Sequence, residues 1–295
     1  MWLGLVANVA GFYDRPAMLS LISLVFLAAA PQPAPAPDPT IGFPGQWAPP
    51  PATQKYPPVP KSCWTRLTDP VERAACLETV AKDFGKLERF AGANTALGPV
   101  ARGQRRVVFF GDSITDNWSK PNYGGFFPGK PYVNRGIGGQ TTGQMLLRFR
   151  PDVLALNPRA VVILAGTNDL AGNTGPVSAE SIEDNLANMI ELARAHKIGV
   201  AVASLLPVCD CKSSPDGKPI KRTGDRPQAS IVALNLRIAA LAKKYKVAYL
   251  DYFNALADPQ GALKPELTDD GLHPNAAGYA VMAPLAEKVI GQIAR

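Results

Sequence analysis

Apolar and polar positions are grouped in a recurring order along most of this chain. From about residue 101 onward, short runs rich in β-branched and aromatic residues fall at 106–110, 131–134, 160–165, 198–205 and 247–251. Runs of this length without alternation suit strands that are buried on both faces. Between them, the stretch from Ser178 to His196 places Ile182, Leu186, Met189, Ile190 and Ala193 on one helical face, and Ile231, Leu234, Ile238 and Leu241 repeat that stripe in the next helix. A last helix follows Asn275 as its cap, and Pro284 inside it predicts a kink or a split. Strand, loop and helix in repetition predict an α/β domain over 101–295 with a five-stranded parallel sheet covered on both sides.

Upstream the grammar changes. Asp69-Pro-Val-Glu72 combines an N-cap, a proline at the first helical position and a glutamate at the third. It predicts a helix to about Lys82, and a second is expected from Asp83 to Ala93, forming a small helical extension over 61–100. Residues 31–60 are dense in proline and read as a linker. Leu19 to Ala30 has the length and small-residue ending of a signal-peptide apolar region, so a signal peptide over 1–30 and an exported, periplasmic or secreted protein are expected. The segment is short for a stable membrane span, and no cysteine follows it closely, which argues against a lipoprotein anchor.

The hydrophobic fraction of 46% with 19% charged residues is that of a globular protein. A net charge of +7 raises the question of a nucleic-acid partner, but no basic helix or aromatic-basic stripe supports one. Part of that charge falls in one exposed loop, 209–228, with Lys212, Lys218, Lys221, Arg222 and Arg226. Four cysteines in an oxidising compartment predict a Cys63–Cys76 bridge and leave a Cys209–Cys211 bridge open. Their spacings do not match a zinc ribbon.

Three polar loops directly follow expected strands: Gly111-Asp-Ser113, Asn134-Arg-Gly-Ile-Gly-Gly139-Gln-Thr141 and Gly166-Thr-Asn168-Asp169. In a parallel sheet they share the carboxyl edge, where open α/β sheets bind ligands. Asp269-Asp270-Gly-Leu-His273-Pro-Asn275 precedes the final helix, and one turn there brings the Asp270 carboxylate to the His273 imidazole. The only other histidine, His196, falls in the last turn of a helix, where a cation suits the dipole. His273 is therefore the candidate base near neutral pH and Ser113 the candidate nucleophile, with helix capping by Asp112 or Ser113 as the plainer reading of that hinge.

Gly111-Asp-Ser-Ile-Thr115, the glycine-rich second block, Gly166-Thr-Asn-Asp169 and Asp270-Gly-Leu-His-Pro274, in that order across about 106–290, resemble the four blocks of the SGNH hydrolases, also called the GDSL esterase and lipase family. The pattern is also similar to bacterial members resembling platelet-activating-factor acetylhydrolase subunits and carbohydrate acetylesterases. The resemblance implies a flavodoxin-like three-layer α/β/α sandwich and no metal or organic cofactor. It also implies Ser113 as nucleophile, His273 as base, Asp270 as orienting acid, and oxyanion donors from the amides of Ser113 and a second-block glycine and from the Asn168 side chain. Counting from Asn134 toward Thr141 favours Gly139, with Gly136 and Gly138 as alternatives.

The chemistry agrees with that carry-over. A serine hydroxyl needs an imidazole to take its proton, and the imidazole needs a partner to hold its tautomer. The developing oxyanion needs neutral donors already in place. A dinucleotide oxidoreductase is disfavoured because Gly136-Ile-Gly138 is followed by Gly139, Gln140 and Thr141, which breaks the G-x-G-x-x-G fingerprint. A non-catalytic carbohydrate-binding protein would not need nucleophile, base and acid together. The expected partner is a small-molecule or glycan ester with a short acyl group, acetyl above all, because no apolar insertion marks the catalytic edge. A lysophospholipase is the alternative, its acyl chain lying along residues assigned to core or to the N-terminal arm.

Overall fold

In the computed structural model, which describes residues 69–294, the five apolar runs form strands β1 (Val107–Gly111), β2 (Tyr132–Gly136), β3 (Ala160–Leu164), β4 (Gly199–Ala203) and β5 (Ala248–Leu250). The expected export segment, the proline-rich stretch and Cys63 lie outside the described residues. All strands are parallel, in the order β2-β1-β3-β4-β5. The chain therefore steps to one side of β1 and then crosses to the other, which leaves a switch point between β1 and β3. Register pairs Gly111 with both Gly136 and Leu164, so three strands end level and their loops open side by side.

Among the described residues the helices are α1 (Pro70–Lys82), α2 (Ala91–Leu97), α3 (Ser113–Asn117), α4 (Thr142–Asp152), α5 (Thr167–Leu170), α6 (Ala179–Ala195), α7 (Gln228–Tyr245), α8 (Phe253–Leu256) and α9 (Ala276–Ile293). Alternate residues of β1 divide between two cores. Val108 and Phe110 pack with Phe149 of α4, Leu186 and Ile190 of α6 and Leu234 of α7. Val107 and Phe109 pack with Trp118 and with Tyr279, Met282 and Ile290 of α9. Each such buried side chain contributes about 1.5–3 kcal/mol, and the result is the three-layer α/β/α arrangement. No helix among the described residues is long and apolar enough to cross a membrane.

Three details depart from the expected elements. Strand β2 runs two residues further than 131–134, because the polar Asn134 and Arg135 find partners inside: Asn134 donates to the Thr115 carbonyl and accepts from the Gly136 amide, and Arg135 Nε donates to Asn94 Oδ1 at 2.8 Å. The helix expected at 83–93 falls later, at α2. Asp83 accepts from the Leu87 and Glu88 amides, and Lys86 takes a positive φ of 53°, so a 3-10 turn at Leu87–Phe90 comes first. Pro284 does not split α9. The carbonyl it frees belongs to Ala280, an exposed residue, so water can satisfy it.

Candidate active site

Strand β1 ends at Gly111, and Asp112 caps α3 by accepting from the Ile114 amide at 2.9 Å. Ser113 is the first residue of that helix, so its amide has no acceptor within the helix. Tyr279 on α9 donates to the Ile114 carbonyl at 2.6 Å, tying the serine-bearing turn to the outer layer. No side chain fits at Gly136, where a Cβ would overlap the Asp116 backbone, so glycine lets the end of β2 lie directly against α3.

His273 Nε2 lies 2.9 Å from Ser113 Oγ, and His273 Nδ1 lies 2.8 Å from Asp270 Oδ2. The hinge that presents them is self-bonded. Asp270 Oδ1 accepts from the amides of Leu272 and His273, while the Thr268 hydroxyl donates to the His273 carbonyl and accepts from the Gly271 amide. Gly271 has φ 78°, and a Cβ there would overlap the Cys209 carbonyl. Burial pushes the Asp270 pKa up, but the hydrogen bond and charge of His273, with the two backbone amides, hold it well below the ordinary carboxylate range. With Asp270 ionised and accepting from Nδ1–H, the Nε2 lone pair is left for the serine proton.

The glycine-rich second block comes up to the same serine. The Gly136 amide is taken by Asn134 Oδ1, whereas the amides of Gly138 and Gly139 donate to no partner among the described residues. A Cβ on Gly138 would sit 3.7 Å from both Ser113 Cβ and Asp116 Oδ2. Asn168 Nδ2 donates to the Gln140 carbonyl at 3.0 Å, and its Oδ1 accepts from Arg226 Nη2 at 3.3 Å. One Nδ2 hydrogen is thus left over. The nucleophile, base, acid and side-chain donor expected from sequence are all at this one edge.

Four residues to which the sequence assigns no role at the site hold its parts in place. Asp169 accepts from the Thr142 amide and hydroxyl, joining the third block to the second at the start of α4. Burial raises its pKa to about 6 despite those bonds, and burial does the same for Asp112, whose Oδ2 has no partner. Arg148, fully buried, donates to the carbonyls of Gly111 and Arg135, to Gln140 Oε1 and to Asp152 Oδ2. Its burial lowers its pKa to about 10, with Asp152 opposing.

The other two, Arg222 and Arg226, read in the sequence only as charge on an exposed loop. Part of that loop turns inward instead. Arg222 bonds Asp270, and Arg226 is 6% exposed against Thr167 and Asn168. Cys209 and Cys211 are bridged, and Asp210 between them accepts from the Arg222 amide and from the amide and hydroxyl of Thr223. Cys76 is also disulfide-bonded.

A family model for GDSL-like lipase/acylhydrolase proteins matches residues 109–281. The chain is similar to a GDSL-like lipase from Bacteroides thetaiotaomicron, at 40% identity and TM-score 0.64 over 71% of this chain and 98% of that one. A candidate acylhydrolase from Bacteroides fragilis is 38% identical, with TM-score 0.64 over 72% of this chain and 99% of that one. The uncharacterized lipoprotein YqeF of Bacillus subtilis is 35% identical over 132 residues, 38% of this chain and 53% of that protein, so the match spans about half the length of that relative. With the model covering more than half of the chain, the protein belongs to the GDSL-like lipase/acylhydrolase family.

Proposed function

We propose that the protein is an exported serine esterase that hydrolyses short acyl esters, acetyl above all, with carbohydrate as the alcohol. The observation that carries the mechanism is the chain of contacts from Asp270 through His273 to Ser113 beside unsatisfied donors. His273 takes the proton of Ser113 as Oγ attacks the ester carbonyl, and Asp270 holds the tautomer and stabilises the imidazolium. The oxyanion receives hydrogen bonds from the Ser113 amide, the Gly139 amide and the free Nδ2 hydrogen of Asn168. His273 returns the proton to the departing alkoxide, leaving an acyl-serine. Water, activated by the same imidazole, then releases the acid and restores the hydroxyl.

The polar rim supports a small acyl group. Asp116 and Asn173 lie beside Gly138 and Gly139, and the 209–228 loop that reaches the site does so through arginines. A groove for a long chain would gain about 0.8 kcal/mol per buried methylene, yet most large apolar side chains of the sheet and its covering helices are packed in the two cores, Leu147, Val232 and Leu236 being exposed exceptions. Asp116, half-buried beside Ser113, is a ready acceptor for sugar hydroxyls. Export is supported by the Cys209–Cys211 bridge, since such bonds persist in oxidising compartments, and by the likeness to a lipoprotein.

The test is kcat/KM across p-nitrophenyl esters from acetate to palmitate, followed by acetate release from acetylated sugars. The reading predicts a maximum at acetate or the next short esters. A steady rise beyond octanoate would replace it with a lysophospholipase.

A further inference from the structure

We infer that Arg226 is a positioning residue for ester hydrolysis, fixing the orientation of the Asn168 amide so that one Nδ2 hydrogen is held toward the developing oxyanion. The inference rests on the reading that Asn168 is an oxyanion donor. An asparagine amide has nearly the same shape in its two flipped orientations, so hydrogen bonding rather than packing must choose between them. In the wrong orientation Oδ1 would face both the Gln140 carbonyl and the substrate oxygen, and the donor would become a repulsive acceptor. Two neighbours select the right one: the Gln140 carbonyl takes a hydrogen from Nδ2 at 3.0 Å, and Arg226 Nη2 gives one to Oδ1 at 3.3 Å. An arginine has no acceptor, so it recognises only the oxygen end of the amide.

The rest of the guanidinium is anchored for that task. Nε donates to the carbonyl and the hydroxyl of Thr167, both at 3.1 Å, on the residue next to Asn168. These acceptors are neutral oxygens. Burying a charge this way is costly, and burial lowers the pKa of Arg226 while the nearby charges of Asp225 and Asp112 favour the cation. A neutral side chain would serve a purely structural purpose with less desolvation. A cation bonded to the far end of the amide also polarises Nδ2–H, an effect that grows in value only as negative charge appears on the substrate.

The arginine is delivered by the turn that Asp210 organises. Asp210 accepts from the Arg222 amide at 2.6 Å and the Thr223 amide at 3.0 Å, and the Arg226 amide then closes on the Arg222 carbonyl. The 209–228 segment thereby reaches Asn168 without contributing a group to the bond-making itself.

The experiment is a double-mutant cycle on the full chain with p-nitrophenyl acetate, using Arg226→Met, Asn168→Ala and the pair, with Arg226→Lys and Ser113→Ala alongside and folding checked by circular dichroism. Arg226→Met should lower kcat by roughly 10- to 100-fold with KM within about twofold, because the interaction it supports is made in the transition state. Arg226→Lys, which keeps a cationic donor, should recover part of that loss. In the pair, the loss should be within about threefold of Asn168→Ala alone, the non-additivity expected of residues acting through one group. A wild-type kcat in Arg226→Met, or losses that multiply in the pair, would overturn the inference. If Arg226→Met does not fold, Arg226→Lys with and without Asn168→Ala completes the same cycle. Ser113→Ala or Asn168→Ala at wild-type kcat would instead remove the underlying reading, and the inference with it.

Discussion

Arg222 meets His273 on a single oxygen of Asp270: Arg222 Nη2 and His273 Nδ1 each lie 2.8 Å from Oδ2, and Arg222 Nε also donates to the Asp270 carbonyl at 2.9 Å. A cation on the orienting carboxylate competes with the imidazolium for the same negative charge. It also helps to fix the carboxylate in place, so Arg222→Met is expected to lower kcat on p-nitrophenyl acetate, by less than Asp270→Ala does, and Arg222→Lys should lose less than Arg222→Met. A wild-type kcat in Arg222→Met would show that the arginine has no bearing on the carboxylate.

Asp112 sets a pH dependence of stability. Burial raises its carboxyl from 3.8 to about 6, with the Ile114 amide and the charge of His273 opposing. Between those values the folded protein holds a proton that the unfolded chain has released. Its contribution to stability is therefore present below the unfolded pKa and is lost as pH rises through the folded one. Two units correspond to roughly 3 kcal/mol. Urea unfolding of Asp112→Asn and wild type at pH 4 and pH 7 should show the variant gaining on the wild type at the higher pH by up to about that amount. A stability difference that stays constant with pH would show that folding does not raise the Asp112 pKa.

Much of this site could be read along the chain, and the reason is local. Gly111-Asp-Ser113 and Gly166-Thr-Asn168 directly follow apolar runs, and Asp270 and His273 are three residues apart, so a strand end or a single turn was enough to place them. Helix starts at Asp69, Ser178 and Asn275 were legible for the same reason, each cap bonding an amide two or three residues on. Arginines were not legible. Arg148 donates across 37 residues to Gly111, Arg222 across 48 to Asp270 and Arg226 across 58 to Asn168. A long flexible side chain takes its partner from the tertiary fold, so in sequence it reads as surface charge. The second-block glycine was ambiguous for a related reason: only the observed bond from the Gly136 amide to Asn134 takes that amide out of contention.

Arg148 carries the largest expected stability effect. Its guanidinium joins the ends of β1 and β2 to the second block through four acceptors, and it lies 4.3 Å from the centroid of the Phe110 ring. Arg148→Met keeps much of the volume but strands those acceptors, including the buried Asp152 carboxylate. The expected loss is about 3–5 kcal/mol in chemical unfolding. A loss below about 1 kcal/mol would mean that water or Arg135 substitutes for the missing donor.

Every step of the proposed hydrolysis depends on Ser113 Oγ as the attacking atom. Turnover of p-nitrophenyl acetate by Ser113→Ala, with folding verified by circular dichroism and thermal unfolding, measures that directly. The expected result is a native fold with kcat reduced by about 10⁴-fold or more, together with loss of the covalent organophosphonate adduct that intact mass detects on the wild type. A folded Ser113→Ala that hydrolyses the ester at close to the wild-type rate would contradict the serine mechanism outright.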